Sequence, residues 1–248
     1  MVRVLIISTF LSLWLGAAQV RVAAAANMSY VMKSLIKAFV TTHPDASIEA
    51  IIGSSGKLKA QITHGAPFDL FLSANMTYPQ ALHQEGVGVV PPVVYAQGVL
   101  ALFSSVPRDF SKGLAILEDP KVQKIAIANP VTAPYGTAAK EALERAGLYK
   151  KLQPKFVFGE SVSQTVTYAL RAADMGVIAL SALYAPQMQR YKEGVHWVAV
   201  DTRLYTPIDQ GMLLLRHAKG NETAKAFYTF IQSEEARKIL QAFGYKVP

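Results

Sequence analysis

Strand-like and helix-like segments alternate near the start of the chain, and this alternation limits the folds that the chain can adopt. Apolar runs at 20–26 and 48–52 are typical of buried strands, and 69–74 is predicted as a third strand. Apolar residues recur at helical spacing from 28 to 40, which predicts an amphipathic helix with Asn27 as its N-cap. Because strands separated by helices pair in parallel through right-handed crossovers, this alternation predicts a parallel sheet.

A second set of segments repeats the same alternation further along the chain. Strands are predicted near 124–128 and 156–158, and a helix is predicted after each, the first from about Thr137. Two long extended runs, near 93–104 and 204–216, are the natural connections between the two sets. The sequence therefore predicts an α/β fold of two lobes, each a mixed and mainly parallel sheet flanked by helices, with a ligand cleft between them.

The two lobes are predicted to be discontinuous in the sequence. A chain of 248 residues is long enough to bury the cores of two small lobes. The positions of the extended runs predict that lobe one comprises 19–97 and 206–248, and that lobe two comprises 98–205. The C-terminal segment is therefore expected to return to lobe one.

The first 18 residues have the pattern of a secretory signal peptide. Arg3 supplies the positive charge, 4–15 is apolar but too short to span a membrane, and Gly16-Ala17-Ala18 offers small residues for cleavage. The chain has no cysteine, so it has neither disulfides nor a thiol for a lipid anchor. We expect an exported, soluble protein of the bacterial periplasm.

The net charge of +8 is spread along the chain rather than collected in one segment. No run of Lys and Arg alternates with aromatic residues, so the pattern disfavours nucleic acid as a partner. A basic surface of this kind favours the approach of a small dianion.

The turn Gly53-Ser54-Ser55-Gly56-Lys57-Leu58 lies between a predicted strand and a predicted helix. The first N–H groups of a helix are unpaired and carry partial positive charge, and small residues let an anion approach them. The alternative is that Ser54 is an ordinary N-cap. A nucleotide-binding P-loop is disfavoured, because the glycine spacing is too short and Leu58 follows Lys57.

Four such turns precede predicted helices, at Asn27, Ser54-Ser55, Pro134-Tyr135-Gly136 and Ser161-Val162. Two belong to each predicted lobe, so their N–H groups can converge on one small anion across the cleft. The Ser55 hydroxyl and the Asn27 amide then add side-chain donors. The alternative is that these are four ordinary helix starts that share no ligand.

Enzymatic chemistry has little support in the sequence. A serine-dependent hydrolase or phosphoryl-transfer enzyme using Ser54 or Ser55 would need a neighbouring base, and the five histidines are scattered. No Gly-x-Ser-x-Gly motif and no HExxH or cysteine set for a metal cation is present. Glu160 lies beside the proposed site, and we expect it to face outward. The sequence therefore predicts a binding protein rather than an enzyme.

Five segments carry a family pattern in this order and at this spacing. They are Ala24-Ala25-Ala26-Asn27, Gly53-Ser54-Ser55-Gly56-Lys57-Leu58, the run from Gly65 to Ala74, Ala128-Asn129-Pro130 with Ala133-Pro134-Tyr135-Gly136, and Gly159-Glu160-Ser161-Val162. Through them the chain from 22 to 247 resembles the periplasmic molybdate-binding proteins of ABC importers.

The resemblance implies a type II periplasmic binding fold that captures molybdate, and often tungstate, and delivers it to a membrane permease. It implies that Asn27 and Ser55 donate through their side chains, and Tyr135 and Val162 through their backbone N–H groups. Molybdenum is then held only as the bound oxyanion, no cofactor is needed, and the carrier is expected to be a monomer.

Two positions depart from the commoner family pattern. Asn27 stands where many members have Ser, and Ala179 stands where some members have Tyr. Ala26, Ser54 and Glu160 are further candidates for the lining of the site. A sulfate-binding or other oxyanion-binding protein on the same scaffold is the main alternative.

Overall fold

The computed structural model describes residues 19–248, and the predicted signal peptide at 1–18 lies outside the described residues. Within 19–248 the chain forms ten strands. They are β1 Gln19–Ala25, β2 Ser47–Gly53, β3 Leu70–Leu72, β4 Val93–Gly98, β5 Leu100–Phe103, β6 Ile125–Ala128, β7 Phe156–Gly159, β8 Met175–Ala179, β9 Trp197–Ala199 and β10 Ile208–Leu214.

Eight α-helices lie between and after these strands in the described part of the chain. They are α1 Met32–Thr42, α2 Ser55–Thr63, α3 Thr77–Gln84, α4 Pro134–Arg145, α5 Tyr149–Leu152, α6 Val162–Arg171, α7 Glu222–Ile231 and α8 Glu234–Ala242. No helix within 19–248 combines the length and apolar composition that crossing a bilayer requires.

The strands form two sheets, and each sheet with its helices is called a lobe below. In lobe one the strand order is β2-β1-β3-β10-β4, with β1 parallel to β2 and β3, and β10 antiparallel to β3 and β4. In lobe two the order is β7-β6-β8-β5-β9, with β6 parallel to β7 and β8, and β5 antiparallel to β8 and β9. The predicted α/β architecture with two mixed sheets is therefore confirmed.

Each sheet is buried between helices on both faces, as the apolar strands predict. In lobe one, Val22 and Leu72 pack with α1, α7 and α8, whereas their neighbours Ala23 and Phe71 pack with α2 and α3. In lobe two, Ile125 and Ile127 of β6 pack with α4 and α5, and the intervening Ala126 packs with α6. Successive side chains of a strand point to opposite faces, so strands covered on both faces must be apolar throughout.

The start of the first helix differs from the sequence prediction. A short 3-10 turn, Ala26–Tyr30, follows β1, and α1 begins only at Met32 after Val31. Asn27 is therefore not an N-cap: its side chain is buried and bonded to distant residues. The apolar spacing predicted the helix correctly, but it could not separate a 3-10 turn from the first turn of an α-helix.

Two further differences concern α3 and α4. No pattern in the sequence indicated α3, which has a proline, Pro79, within its first turn and only eight residues. Helix α4 begins at Pro134, three residues before the predicted start at Thr137. Proline is favoured in the first turn of a helix, because its missing N–H would have no helical partner there. As a result Tyr135 and Gly136 belong to the first turn of α4.

Candidate functional site

A small cavity lies where the turns that follow β1 and β2 in lobe one meet the first turns of α4 and α6 in lobe two. Its lining residues are Ala25, Ala26, Asn27, Ser54, Ser55, Ala74, Ala133, Pro134, Tyr135 and Val162. The structure thus brings together the four residues predicted to bind the ligand, Asn27, Ser55, Tyr135 and Val162. It adds Ala26 and Ser54, which the sequence left open, and it leaves out Glu160 and Ala179.

Three helices direct their N-termini at this cavity. Ser55, Tyr135 and Val162 lie in the first turns of α2, α4 and α6, respectively. Within residues 19–248 the backbone N–H groups of these three residues donate to no protein acceptor. Since the helix dipole adds partial positive charge at each N-terminus, the three groups attract an anion without any charged side chain.

Ser55 is held in position by a hydrogen bond that leaves its own proton available. The side chain is 1% exposed, and its Oγ accepts from the backbone N–H of Ala74 at 2.9 Å. Because the oxygen is the acceptor in this contact, the hydroxyl hydrogen remains free to be donated. Ser55 can therefore serve as a fixed donor to a ligand in the cavity.

Ser54 occupies the N-cap position of α2 but does not act as a cap through its side chain. Its backbone is extended, with φ −67° and ψ 144°, and no cap hydrogen bond is formed. The hydroxyl is buried and has no partner among the described residues. A buried hydroxyl without a partner is costly, so this group is a second candidate donor to a ligand.

The Asn27 amide is bonded to the protein on its nitrogen side. Its Nδ2 donates to Gln210 Oε1 at 2.8 Å and to Tyr245 Oη at 2.7 Å. Its Oδ1 is buried and has no partner among the described residues. The sequence could not indicate Gln210 and Tyr245, which lie 183 and 218 residues away from Asn27 and follow no motif.

Two glycines permit the close packing that positions Tyr135. A Cβ at Gly136 would lie 2.3 Å from the carbonyl oxygen of Ala128, so only glycine lets α4 start so close to the end of β6. A Cβ at Gly98 would lie 2.1 Å from Tyr135 Oη. The tyrosine side chain therefore packs directly on the strand that leads from lobe one to lobe two.

The two lobes contact each other around the cavity. The N–H of Gly56 in α2 donates to the carbonyl oxygen of Thr132 at 3.0 Å. Outside the lining, Lys57 of lobe one and Glu160 of lobe two form an ion pair at 2.6 Å. The Glu160 side chain is 69% exposed, so it faces outward as expected, and such a pair contributes little to stability.

The lining carries no charged side chain, and its available donors are the N–H groups of the three helix starts and the two serine hydroxyls, beside the unpaired acceptor Asn27 Oδ1. It contains no Lys, Arg, His, Asp or Glu, so neither serine has a general base within the cavity. Burial raises the pKa of Tyr135 well above its usual value, which keeps the phenol neutral beside the site. Within 19–248 no group of three or more His, Cys, Asp or Glu is arranged to hold a metal ion.

A wider groove between the lobes adjoins the cavity at Ala74 and Pro134, with a volume of about 310 Å³. Its lining includes the carboxylates of Glu141 and Asp209 and no basic side chain. Negative charge disfavours an anion there, so the smaller cavity remains the candidate site.

Comparisons with known proteins agree with this arrangement. Residues 20–246 match the family model described as bacterial extracellular solute-binding protein. The molybdate-binding protein ModA of Rhodobacter capsulatus is 37% identical over 95% of this chain and 91% of its own length. The ModA protein of Azotobacter vinelandii is 35% identical over 92% of this chain and 90% of its own length.

Solved structures give the same result. The periplasmic molybdate-binding protein of Azotobacter vinelandii superposes with a TM-score of 0.85 and 29% identity, covering 92% of this chain and 99% of the other. This match confirms the predicted two-lobed type II fold. The family resemblance drawn from the sequence is likewise confirmed. The chain therefore belongs to the family of bacterial extracellular solute-binding proteins.

Proposed function

We propose that this solute-binding protein captures molybdate, and tungstate as well, in the cavity formed by Asn27, Ser55, Tyr135 and Val162. The observation that carries the proposal is a lining made of hydrogen-bond donors from three helix N-termini and two serines, without any charged side chain. The relatives named as molybdate-binding proteins support the same ligand. Molybdenum is held as the oxyanion, and no cofactor takes part.

A donor-rich lining selects oxyanions by their protonation. Molybdate, tungstate and sulfate carry no proton at neutral pH, so all their oxygens can accept hydrogen bonds. Phosphate keeps at least one proton, and a donor facing a donor costs about 1–3 kcal/mol, which is roughly a 5- to 150-fold loss in affinity. Sulfate is free of protons like molybdate, so protonation does not separate the two ions, and it is the named relatives that favour molybdate.

The proposed donors come from both lobes, so the ligand joins them. We assign 19–97 and 206–248 to lobe one and 98–205 to lobe two. The membership of the two sheets supports this division, although β4 of the first sheet extends one residue further, to Gly98. Ser55 and Asn27 then act from lobe one, and Tyr135 and Val162 act from lobe two.

The family and the relatives support a role in import rather than catalysis. In this proposal the chain is a monomer of the bacterial periplasm, exported by its first 18 residues, and it delivers the oxyanion to the membrane permease of an ABC importer. Ser54 and Ser55 have no base beside them in the cavity, which supports binding without catalysis.

Calorimetric titration of the chain from residue 19 onward tests the ligand directly. We expect molybdate and tungstate to bind tightly, sulfate more weakly, and phosphate not measurably. Equal binding of phosphate and molybdate, or no binding of any of the four, would refute the proposal. Incubation with model esters and phosphate esters, followed by product assay, tests the enzyme alternative.

A further inference from the structure

A cluster of buried polar side chains lies behind the cavity and joins the two lobes. Asn27 Nδ2 donates to Gln210 Oε1 and to Tyr245 Oη, and Tyr245 Oη donates in turn to the backbone oxygen of Asn27 at 3.1 Å. Tyr135 of lobe two approaches the same place, since a Cβ at Gly98 would lie 2.1 Å from Tyr135 Oη and 2.8 Å from Gln210 Nε2.

Two atoms of this cluster have no hydrogen-bond partner in the described part of the chain. They are Asn27 Oδ1 and Tyr135 Oη, and both are buried. A buried polar atom without a partner is uncommon and destabilising, so its presence beside a binding cavity needs an explanation. The Gln210 amide lies close enough to Tyr135 to oppose the increase that burial causes in the pKa of the phenol.

In the present arrangement Asn27 cannot donate to an anion. Both hydrogens of its amide are used by Gln210 and Tyr245, and the amide atom left over is an acceptor. An oxyanion beside an unpaired carbonyl oxygen is repelled. The side chain predicted to bind the ligand therefore needs the opposite orientation of its amide.

Exchange of nitrogen and oxygen in both amides gives Asn27 Oδ1 a donor and Tyr135 Oη an acceptor. In this alternative, called the turned state below, both amide groups rotate so that nitrogen and oxygen exchange places. Gln210 Nε2 then donates to Asn27 Oδ1, and Gln210 Oε1 can accept from Tyr135 Oη. Gln210 gives up a long hydrogen bond, which runs from its Nε2 to the Ile208 carbonyl oxygen at 3.4 Å, and the contact of its N–H with the Tyr135 phenol oxygen.

The Tyr245 hydroxyl, which accepts from Asn27 Nδ2 in the present arrangement, donates to Asn27 Oδ1 in the turned state. It gives up its bond to the Asn27 backbone oxygen, which keeps the Ser181 hydroxyl as donor at 3.4 Å. Asn27 Nδ2 is then free to donate to the ligand.

We propose that Gln210 is a positioning residue that, by turning over together with Asn27, lets the Asn27 amide donate to a fully ionised oxyanion. This inference rests on the proposed function. Gln210 touches Asn27 and not the ligand, and Tyr135 supplies the partner that stabilises the turned state. The two amide orientations differ in whether the cavity meets an acceptor or a donor. Only the turned state donates to a fully ionised oxyanion and disfavours a protonated one, so discrimination depends on Gln210 and Tyr135 stabilising that state.

The fold explains how a glutamine reaches this position. Gln210 lies at a β-bulge, where the pairing of β10 with β4 shifts its register between Gln210 and Gly211. A bulge changes the direction of a side chain relative to the regular strand, and bulges are frequent beside binding sites. The side chain is fully buried, so its hydrogen bonds are protected from water.

A double-mutant cycle measures whether Gln210 acts through Asn27. The affinity for molybdate is titrated in wild type, Gln210→Met, Asn27→Ala and the double variant. Methionine keeps the volume of glutamine but removes two hydrogen bonds from the turned state, and from the present state one short hydrogen bond and the long one to Ile208. Because the long bond is weak, the difference approaches one hydrogen bond and predicts that Gln210→Met weakens binding by up to about fivefold when Asn27 is present. With Ala at position 27 the same change is expected to leave the affinity unaltered.

Two further variants sharpen the test. Tyr135→Phe removes one hydrogen bond from the turned state and only a weak contact with the Gln210 amide from the present state. It therefore also predicts a loss of up to about fivefold that disappears with Ala at position 27. Gln97→Met is the matched control, because Gln97 lies on β4 and donates to Asp209 at 2.9 Å, outside the cluster. Its affinity for molybdate should equal that of wild type.

The outcomes separate this inference from the function on which it rests. Failure of wild type to bind any oxyanion overturns the proposed function and this inference together. If wild type binds molybdate but Gln210→Met has no effect, or has the same effect with Asn27 and with Ala at position 27, the positioning role is overturned while the function stands. In ¹⁵N-labelled protein, the side-chain amide signals of Asn27 and Gln210, assigned by their loss in the variants, should both shift when molybdate is added.

Discussion

Replacement of Ser55 by Ala should affect ligand affinity and stability through two separate contacts. The Oγ accepts from the backbone N–H of Ala74 at 2.9 Å, and its hydrogen remains available for the ligand. Loss of a hydrogen bond to a charged group costs about 1.5–3 kcal/mol, so molybdate should bind about 10- to 150-fold more weakly. Ser55→Ala therefore tests the proposed donor directly.

The same substitution leaves the Ala74 N–H buried without its acceptor. An unsatisfied buried donor costs about 1–3 kcal/mol, and for a chain of this size each kcal/mol lowers the melting temperature by about 2–4 °C. We therefore expect the ligand-free Ser55→Ala variant to melt several degrees below wild type. The two effects have separate assays, which are calorimetric titration and thermal unfolding without ligand.

Ser233→Ala is a matched control. Ser233 Oγ also accepts a backbone N–H, from Ala236 at 3.2 Å, but it caps α8 and does not line the cavity. Loss of this cap should cost about 1 kcal/mol of stability with no change in affinity. If Ser55→Ala lowers the melting temperature but binds molybdate as tightly as wild type, the hydroxyl serves the fold and not the ligand, and the reasoning is wrong.

Three further predictions concern packing, the contact between lobes and pH. Gly136→Ala places a Cβ 2.3 Å from the last carbonyl oxygen of β6, so it should destabilise the fold by about 1–3 kcal/mol and weaken molybdate binding. Unchanged melting and titration curves would contradict this prediction. Lys57→Ala removes the exposed ion pair with Glu160, and we expect the free energy of molybdate binding to change by less than about 1 kcal/mol in titrations at low and high salt. A tenfold loss of affinity would instead make the pair part of the site. Burial raises the pKa of Tyr135 and Tyr245 above 10 in the folded chain. Since the unfolded chain releases these protons near pH 10 and the folded chain does not, the free energy of unfolding should fall as pH rises above 10, by up to about 1.4 kcal/mol per pH unit for each tyrosine. Urea unfolding at pH 9 and pH 11 measures this decrease, and equal stabilities would refute it.

The sequence was sufficient for the architecture, because burial leaves a periodic signal. Strand β6 and the part of β1 from Val22 to Ala25 are covered on both faces and are apolar throughout, and α1 shows the spacing of an amphipathic helix. Helix α3 escaped prediction because eight residues with an internal proline carry too little periodicity. The start of α4 differs from its prediction for a similar local reason, since a proline such as Pro134 is as common in a turn as in the first turn of a helix.

The sequence also indicated which turns form the site. Ser55, Tyr135 and Val162 follow strands at the starts of helices, where N–H groups are left unpaired by the geometry of the helix itself. That property is local, so residue type and spacing predict it. Their meeting in one cavity depends on the packing of two lobes. The residue pattern left this meeting open beside the alternative of four unrelated helix starts, and the family resemblance favoured it.

What each polar atom can do depends on contacts that form only when the chain folds. Ser55 keeps its proton for a ligand because Ala74, 19 residues away, supplies the donor to its oxygen. The helical spacing predicts Asn27 as a helix cap, yet Asn27 is bonded to Gln210 and Tyr245 from the far end of the chain. A hydrogen bond depends on distances of a few tenths of an ångström between groups brought together by folding, whereas sequence patterns record only average burial along one segment.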